Sequence, residues 1–525
     1  MIASGRAIAR AGLIVTGAYL ASRILGYVRT AVITYQFPAG PDLDTYFAAF
    51  RIPDAIFQLV AAGAVASALI PIITELIVGG EEARAWRVVS TITNLMLIGL
   101  LVLAGSFALL APVLMPWITP GFDPAHTEQT VRLTRIMLLS PILLALGAVA
   151  TSVLNSLGRF AVSAAAPLLY NLGIIAGAVF LAPTMGVDGL AVGVVAGSAA
   201  TLGIQGAALL RGRFTYHPRL ELADAAARLA LLLMVPRALG LAATQITFLV
   251  NNGFASGLGE GAITVYNVAF TMLQIPVGVV GVPLSIVLLP AMSRALASGA
   301  TARFSELTVR SLRLLAFLML PATGLTIVVS TQAVALLFLQ GRFDAAAAIS
   351  TGELLVVFAL GLAAHAMVAI LAPAFYAGKD TRTPVVAAVV AVVVNVVVAV
   401  ATVGPLGLRG LAWAITLGAW AEAAILLVLL QRRVPDMLLG NLARGFGAFV
   451  PGAALASLAA FLALRLVDGP AAVDASKLDL AVQLAAAGGA GALVFAAYAA
   501  LLRLEELRTL RLIVGESLPR AGGSS

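Results

Sequence analysis

Five charged side chains interrupt two strongly apolar segments near the N-terminus of this sequence. Residues 22–54 read SRILGYVRTAVITYQFPAGPDLDTYFAAFRIPD and carry the charges Arg23, Arg29, Asp44, Arg51 and Asp54 in these segments, with Asp42 in the connection between them. A charge at the middle of a bilayer costs at least ~2.5 kcal/mol, so it normally faces a partner or a watery cavity. Asp44, Arg51 and Gln58 are spaced by seven, which places them on one face of a helix with Asp54 beside them. Facing polar stripes on two adjacent helices indicate a cavity.

The chemistry that suits these side chains is the binding of a phosphorylated ligand. Arginine has a planar fork that binds two phosphate oxygens at once. Arg29 and Arg51 would contact such a ligand from neighbouring helices, with Asp44 holding one of them in place. The alternative is structural: the arginines pair with Asp44 and Asp54 to hold the helices together, or extend to the membrane interface.

The composition indicates that the elements carrying these charges are membrane helices. The chain has 525 residues, of which 61% are hydrophobic and only 11% are charged, and its mean hydropathy is +1.05. The sequence therefore predicts an all-α polytopic membrane protein. It has no cysteine, which excludes disulfides. No phosphate-binding loop, metal-ligand spacing or nucleophile motif is found, so we expect a transporter without a cofactor, coupled to an ion gradient or the membrane potential.

Apolar windows predict about fourteen membrane spans. Most arginines fall in segments on the same side as the N-terminus, which predicts that both termini are cytoplasmic. The net charge of +8 then reflects loops that face anionic lipid and indicates no nucleic-acid surface. The expected span centres lie at about residues 22, 60, 102, 140, 172, 200, 240, 277, 320, 361, 393, 420, 453 and 491.

The chain contains an internal repeat with an offset of about 220 residues. YFAAFRIP at 46–53 is similar to YNVAFTMLQIP at 266–276, and VDGLAVG at 187–193 to LRGLAWA at 408–414. Six helices per copy give both copies the same topology, as in transporters that hold their substrate between two lobes. The predicted domains are an N-terminal lobe, a C-terminal lobe, and two added helices with a cytoplasmic tail: residues 1–215, 216–435 and 436–525.

The charges of the first copy are absent from the second copy. The positive charge therefore lies in the first copy alone. The symmetry of the repeat does not explain it, because the second copy keeps the same helices without these charges. The aligned neutral residues are Gln245 for Arg23, Thr264 for Asp44 and Thr271 for Arg51.

Several motifs resemble those of the lipid II flippases, the MurJ/MviN family, within the superfamily of multidrug and polysaccharide exporters. They occur in the family's order along nearly the whole chain, and the last is the most specific. They are SRILGYVR at 22–29, DTYFAAFRIPD at 44–54, TPGFD at 119–123, LNSLGRF at 154–160, GRFD at 341–344 and LAPAFYAGKDTRTP at 371–384.

The resemblance implies a fold and a function. The fold has fourteen helices in two six-helix lobes plus two C-terminal helices. The function is to move an undecaprenyl-pyrophosphate-linked peptidoglycan precursor across the bacterial inner membrane, with membrane lipids and the cell-wall synthesis machinery as partners. The family's cavity residues correspond to Arg23, Arg29, Asp44 and Arg51, and the face pattern adds Asp54 and Gln58 as substrate-binding residues.

The sequence also departs from the family pattern. Thr30 stands where an acid commonly follows the second arginine, Gln58 and Ala62 replace an arginine and an acid, and Thr271 stands near an expected arginine of the second lobe. Two alternatives therefore stay open: export of another polyprenyl-linked oligosaccharide or of small molecules, and a noncatalytic scaffold for cell-wall assembly.

Overall fold

A computed structural model describes residues 5–60, 64–212, 214–434, 439–467 and 469–508. These ranges are helical, with short connections and without a β-strand, so the predicted all-α class is confirmed. Helices suit this apolar chain because they satisfy every backbone N–H and C=O group within one segment. Ala62 and the tail 509–525 lie outside the described residues.

The first of two compact units comprises residues 1–268 and 340–344. It contains ten helices, one of them extended by a π-helical turn at Gly177–Leu181, and the first part of an eleventh. They are α1 (Gly5–Gln36), α2 (Pro41–Val60), α3 (Ala64–Val78), α4 (Glu82–Ile118), α5 (Pro124–Met137), α6 (Leu139–Ser156), α7 (Phe160–Ala176), α8 (Ala182–Met185), α9 (Val187–Leu210), α10 (Ala225–Ser256) and α11 (Ala262–Pro276).

Close helix packing holds the first unit together. α1 packs against α7, α2 against α5 and α10, and α3 against α6 and α10. α7 and α9 approach so closely that a Cβ added to Gly173 would lie 2.2 Å from the Cα of Gly197. The segment 340–344 returns to α1, where the N–H of Arg342 donates to the Tyr35 carbonyl over 3.0 Å. Small residues at such crossings let the helix backbones approach closely. The resulting van der Waals packing drives helix association in lipid, where the hydrophobic effect between helices is absent.

The connection between α9 and α10 lies along the start of α4. Asn94 donates to the carbonyls of His217 (3.1 Å) and Arg219 (2.9 Å). Asp224 caps α10 by accepting from the N–H of Ala226 over 2.7 Å and pairs with Arg84 over 2.8 Å. The hydrogen bond from Arg84 is the main cause of the lowered pKa of the Asp224 carboxyl. This linker is therefore fixed at several points to one helix.

The second unit comprises residues 269–339 and 345–525, of which the described part ends at 508. It contains the rest of α11, which continues through a π-helical turn at Val277–Gly281. The further helices are α12 (Val282–Ala297), α13 (Thr301–Phe338), α14 (Ala345–Ala359), α15 (Leu362–Ala377), α16 (Arg382–Leu406), α17 (Leu408–Arg433), α18 (Leu439–Leu466) and α19 (Lys477–Leu501).

The two C-terminal helices of the second unit pack on α13. α18 and α19 contact α13 and each other, with Phe317, Phe449 and Phe495 in the shared core. Lys477 fixes the start of α19 by donating to three carbonyls at the end of α13, those of Ala335, Leu336 and Leu339, over 2.7–3.0 Å. The predicted addition of two helices after the repeat therefore takes the form of an antiparallel pair on α13.

The repeat is visible in where the helices begin. Helices that start at Pro41, Glu82, Pro124 and Val187 have counterparts about 220 residues later, at Ala262, Thr301, Ala345 and Leu408. The turn before the last pair is the same in both copies: Gly186 and Gly407 have φ of +61° and +56°, a region that favours glycine. The two copies thus share their order of elements.

Ten helical spans among the described residues are long and apolar enough to cross a membrane, and some of them combine consecutive helices, such as α5 with α6 and α11 with α12. The number becomes eleven if α14 and α15, which meet at a bend of 50°, form one span. The chain is therefore a multi-pass membrane protein, while the predicted total of fourteen spans is not confirmed. The predicted domain limits at 215 and 435 follow the sequence repeat and stay a prediction.

Candidate substrate-binding site

Asp44 lies in the first turn of α2 and binds the start of α11. Its carboxylate accepts hydrogen bonds from the N–H of Gly261 (2.7 Å), and from the N–H (2.7 Å) and hydroxyl (2.6 Å) of Thr264. The residue is only 2% exposed, so these bonds replace the water that a carboxylate needs. We predicted that Asp44 orients an arginine; in this structure it instead caps a helix, where a negative charge is favoured.

Arg51 lies nearly two turns further along the same helix. Its Nη2 donates to the side-chain carbonyl of Asn267, and its guanidinium stacks on the ring of Phe248, 4.9 Å from the centroid. Its Nε is buried and has no hydrogen-bond partner among the described residues. Asp54 and the Tyr266 hydroxyl are close enough to interact with it electrostatically. Arg51 is therefore positioned by its neighbours and retains an unused, buried donor at Nε.

Asp54 and Gln58 continue this face of α2, and Arg29 approaches it from α1. Gln58 hydrogen-bonds the Asp54 carboxylate one turn away, and both Arg51 and Arg29 interact electrostatically with that carboxylate. Arg29 also interacts with the hydroxyls of Tyr46 and Tyr170. Although α1 packs mainly on α7, its arginine thus reaches the polar stripe of α2.

The structure brings together four of the six predicted residues. Arg29, Arg51, Asp54 and Gln58 form one group of half-buried polar side chains, which we call the α1–α2 cluster. Asp44 lies on the same helix but is bound to α11. Arg23 is exposed on α1. This position suits contact with lipid headgroups or with the entrance of a transport path better than a place at the centre of the cluster.

Several residues that the sequence pattern did not predict complete the cluster. Asn267, Phe248 and Tyr266 position Arg51, and Tyr46 and Tyr170 lie near Arg29. The one available signal was the pair of tyrosines at equivalent places of the repeat, in YFAAF and YNVAF. These two are buried, with 3% and 0% exposure.

The cluster suits recognition of an anion better than catalysis. Two guanidinium groups and one carboxylate leave an excess of positive charge, and no nucleophile beside a base is present among these residues. Nor does the described part of the chain hold any group of three or more His, Asp or Glu side chains that could bind a metal ion. Guanidinium groups on neighbouring helices suit an anion that accepts two parallel N–H bonds, such as a phosphate or a carboxylate.

Comparisons with known proteins agree with the fold and the motifs. Residues 33–476 match the family model described as lipid II flippase MurJ. A probable lipid II flippase MurJ of Rhizobium tropici is 32% identical over 437 residues, which cover 80% of each chain. The lipid II flippase MurJ of Burkholderia cenocepacia is 30% identical over 432 residues, covering 81% of this chain and 84% of the relative.

A solved structure shares the fold. Lipid II flippase MurJ in an inward closed conformation aligns with a TM-score of 0.77 and 20% identity, covering 93% of this chain and 98% of that one. The family model alone spans most of the present sequence. The chain therefore belongs to the MurJ family of lipid II flippases.

Proposed function

We propose that this protein moves lipid II, the undecaprenyl-pyrophosphate-linked precursor of peptidoglycan, from the inner to the outer leaflet. The observation that carries the proposal is the unused Nε donor of buried Arg51, in a cluster with Arg29 on apolar helices of a MurJ-family chain. An unsatisfied charged donor in the interior costs free energy, which a pyrophosphate oxygen would recover.

The proposed process is transport by alternating access, without covalent chemistry or a cofactor. Parallel repeats of this kind generally rock about a site between their halves. Moving one elementary charge across 100 mV changes the free energy by about 2.3 kcal/mol, so the membrane potential or an ion gradient is sufficient as an energy source. We place the protein in the bacterial inner membrane with both termini in the cytoplasm, because arginines are concentrated in the segments on that side.

The partners in this proposal are the lipid-linked precursor, the surrounding lipids and the enzymes of cell-wall synthesis that deliver and use the precursor. A second candidate is export of another polyprenyl-linked oligosaccharide. The neutral Thr271 and Gln58, at positions where the family resemblance leads us to expect arginines, favour a less anionic ligand.

Depletion of the protein in its own cells distinguishes the two candidates. We expect lipid II to accumulate in the inner leaflet. Extraction and mass spectrometry measure the total amount of lipid II, and a probe restricted to the outer leaflet measures the fraction that has been moved. Accumulation of a different polyprenyl-linked saccharide supports the second candidate. If no lipid-linked intermediate accumulates while growth stops, the protein is not a flippase, and the scaffold alternative replaces it.

A further inference from the structure

A cavity of about 790 Å³ opens at one end of the second unit. α13 and α18 begin there and α19 ends there, so the cavity lies where three helices leave the bilayer. Its size is within the range of sites that hold small ligands. Six of its lining residues carry the argument: Leu284, Leu288, Arg310, Arg313, Glu506 and Arg508.

The segment after α19 forms one wall of this cavity. Leu504 and Leu507 pack against the core between α13, α18 and α19, which turns Glu506 towards α13. There Glu506 pairs with Arg313, Nε to Oε1, over 2.7 Å, and it is only 6% exposed. The carboxylate is therefore held in a fixed place by packing and by one ion pair.

Two groups in this cavity have no partner in the part of the chain that the structure describes. The second oxygen of Glu506, Oε2, is buried without a hydrogen bond. Arg508 forms no hydrogen bond or ion pair with the described residues, whereas Arg310 is paired with Glu306 over 3.0 Å. A buried carboxylate oxygen without a donor is costly, so the cavity lacks a donor at Glu506. The exposed guanidinium of Arg508 is available to an anion.

We propose that this cavity binds the headgroup of a zwitterionic aminophospholipid such as phosphatidylethanolamine. The phosphate binds Arg508, the ammonium group donates to Oε2 of Glu506, and the first acyl carbons lie on Leu284 and Leu288. The lining arginines and glutamates are equal in number, so the cavity has no net charge that would select an anionic lipid. Arginines at this end of the helices indicate the cytoplasmic leaflet.

This inference goes beyond the transported substrate, because the bound lipid is a resident one far along the chain from the α1–α2 cluster. The probe is short-chain phosphatidylethanolamine, added to the purified full-length protein in detergent. Its half-saturating concentration is read from the rise in the thermal unfolding midpoint. The same titration with short-chain phosphatidylglycerol, O-phosphorylethanolamine and inorganic phosphate separates a lipid from a soluble ligand.

We expect phosphatidylethanolamine to bind at least about tenfold more tightly than the other three probes. Arg508→Gln should raise its half-saturating concentration about tenfold, the effect of losing one charged hydrogen bond. Glu506→Gln should abolish the preference over phosphatidylglycerol. Arg503→Gln, a change of an exposed arginine in the turn directly after α19 that does not line the cavity, is the matched control and should leave binding unchanged.

Glu506→Gln also removes the ion pair of Arg313 and destabilises the protein, whereas Arg508→Gln removes no ion pair among residues 5–508 that the structure describes. If the Glu506→Gln protein does not fold, the Arg508→Gln protein alone tests the proposal. Equal binding of phosphatidylglycerol, or wild-type binding by Arg508→Gln, overturns the proposal. Tight binding of O-phosphorylethanolamine or phosphate alone identifies a soluble ligand and overturns the lipid assignment.

Discussion

Arg51 on α2 and Arg29 on α1 both interact electrostatically with the Asp54 carboxylate. This arrangement defines what a substitution of either arginine should do. Lysine keeps the positive charge but loses the planar pair of donors. Arg51→Lys and Arg29→Lys should therefore insert normally and transport lipid II at least about tenfold more slowly. Complementation of a depleted strain and a lipid II flipping assay measure this effect.

Arg211→Lys, in an exposed turn of the linker, is the control for the general effect of the exchange. Wild-type transport by both Arg51→Lys and Arg29→Lys would show that a positive charge at each position is sufficient. Binding of two oxygens by one guanidinium group would then not be needed. Normal transport by the Arg→Gln variants would make the arginines structural. Arg51→Ala is less informative, because it also removes the hydrogen bond to Asn267 and the packing on Phe248 and so lowers stability.

Asp44 is expected to act on stability and on the equilibrium between conformations, because its carboxylate is fully used by α11. Asp44→Asn retains one acceptor and places an N–H₂ group against an N–H donor, so we expect a loss of about 1–3 kcal/mol. Thr264→Val removes only the hydroxyl bond and should cost about 1 kcal/mol. Denaturation of the purified proteins measures both losses.

The double variant tests whether the two residues act together. The loss from Asp44→Asn plus Thr264→Val should be smaller than the sum of the single losses, because the hydroxyl bond can be lost only once. Strict additivity would mean that the two residues stabilise the protein independently, in conflict with the 2.6 Å bond between them.

The connection between α15 and α16 shows how the most specific family motif is built. Asp380 accepts from the N–H groups of Arg382 (2.9 Å) and Thr383 (3.1 Å), and it pairs with Arg433 at the end of α17. The Arg433 guanidinium stacks on Phe375, 5.3 Å from its centroid. One carboxylate therefore joins three helices, which supports a structural or gating role for this loop.

Asp380 also predicts a pH dependence. Burial raises the pKa of its carboxyl, but hydrogen bonds from Thr383 and Arg433 outweigh burial and hold it below its usual 3.8. A lowered pKa stabilises the folded protein above about pH 4, and this contribution is lost as the pH falls through the folded-state value. The stability difference between wild type and Asp380→Asn should therefore shrink towards pH 3.

Unfolding midpoints measured from pH 7 to pH 3 test this dependence. Asp474→Asn, in an exposed turn, is the control for the general effect of acid on the protein. A difference between wild type and Asp380→Asn that stays constant over the whole range would contradict the role of the charge and leave only the loss of hydrogen-bond geometry.

The elements were largely predictable from the sequence, whereas the contacts between them were not. Hydrophobic windows and the repeat predicted the all-α class, and heptad spacing placed Arg51 and Gln58 on one face, because both patterns are local. The partners of Asp44 were not predictable. Residue spacing shows which side chains share a helix face, but it does not show that Gly261 and Thr264, more than 200 residues away along the chain, bind the carboxylate. The bend between α14 and α15 likewise depends on packing.

At the scale of the whole molecule, the repeat predicts that equivalent positions respond together. Ala49 and Ala269 lie at corresponding places in the two copies and are both fully buried. If transport opens the two copies alternately, cysteines at these positions should be labelled slowly at first and faster together when lipid II is added. Labelling with a water-soluble maleimide measures this, with Ser298→Cys in an exposed turn as the control. Unchanged labelling at both positions would contradict alternating access.

The first unit depends on residues that the ribosome produces late. Gly261 and Thr264 bind Asp44, and the segment 340–344 binds α1, so that unit cannot be completed until about two-thirds of the chain has been synthesised. A nascent chain that ends before residue 261 lacks the donors that bind the Asp44 carboxylate, and quality-control proteases should degrade it. A gene split in the linker after residue 215 should therefore yield an N-terminal fragment that is short-lived when made alone, and long-lived when the other fragment is made in the same cell.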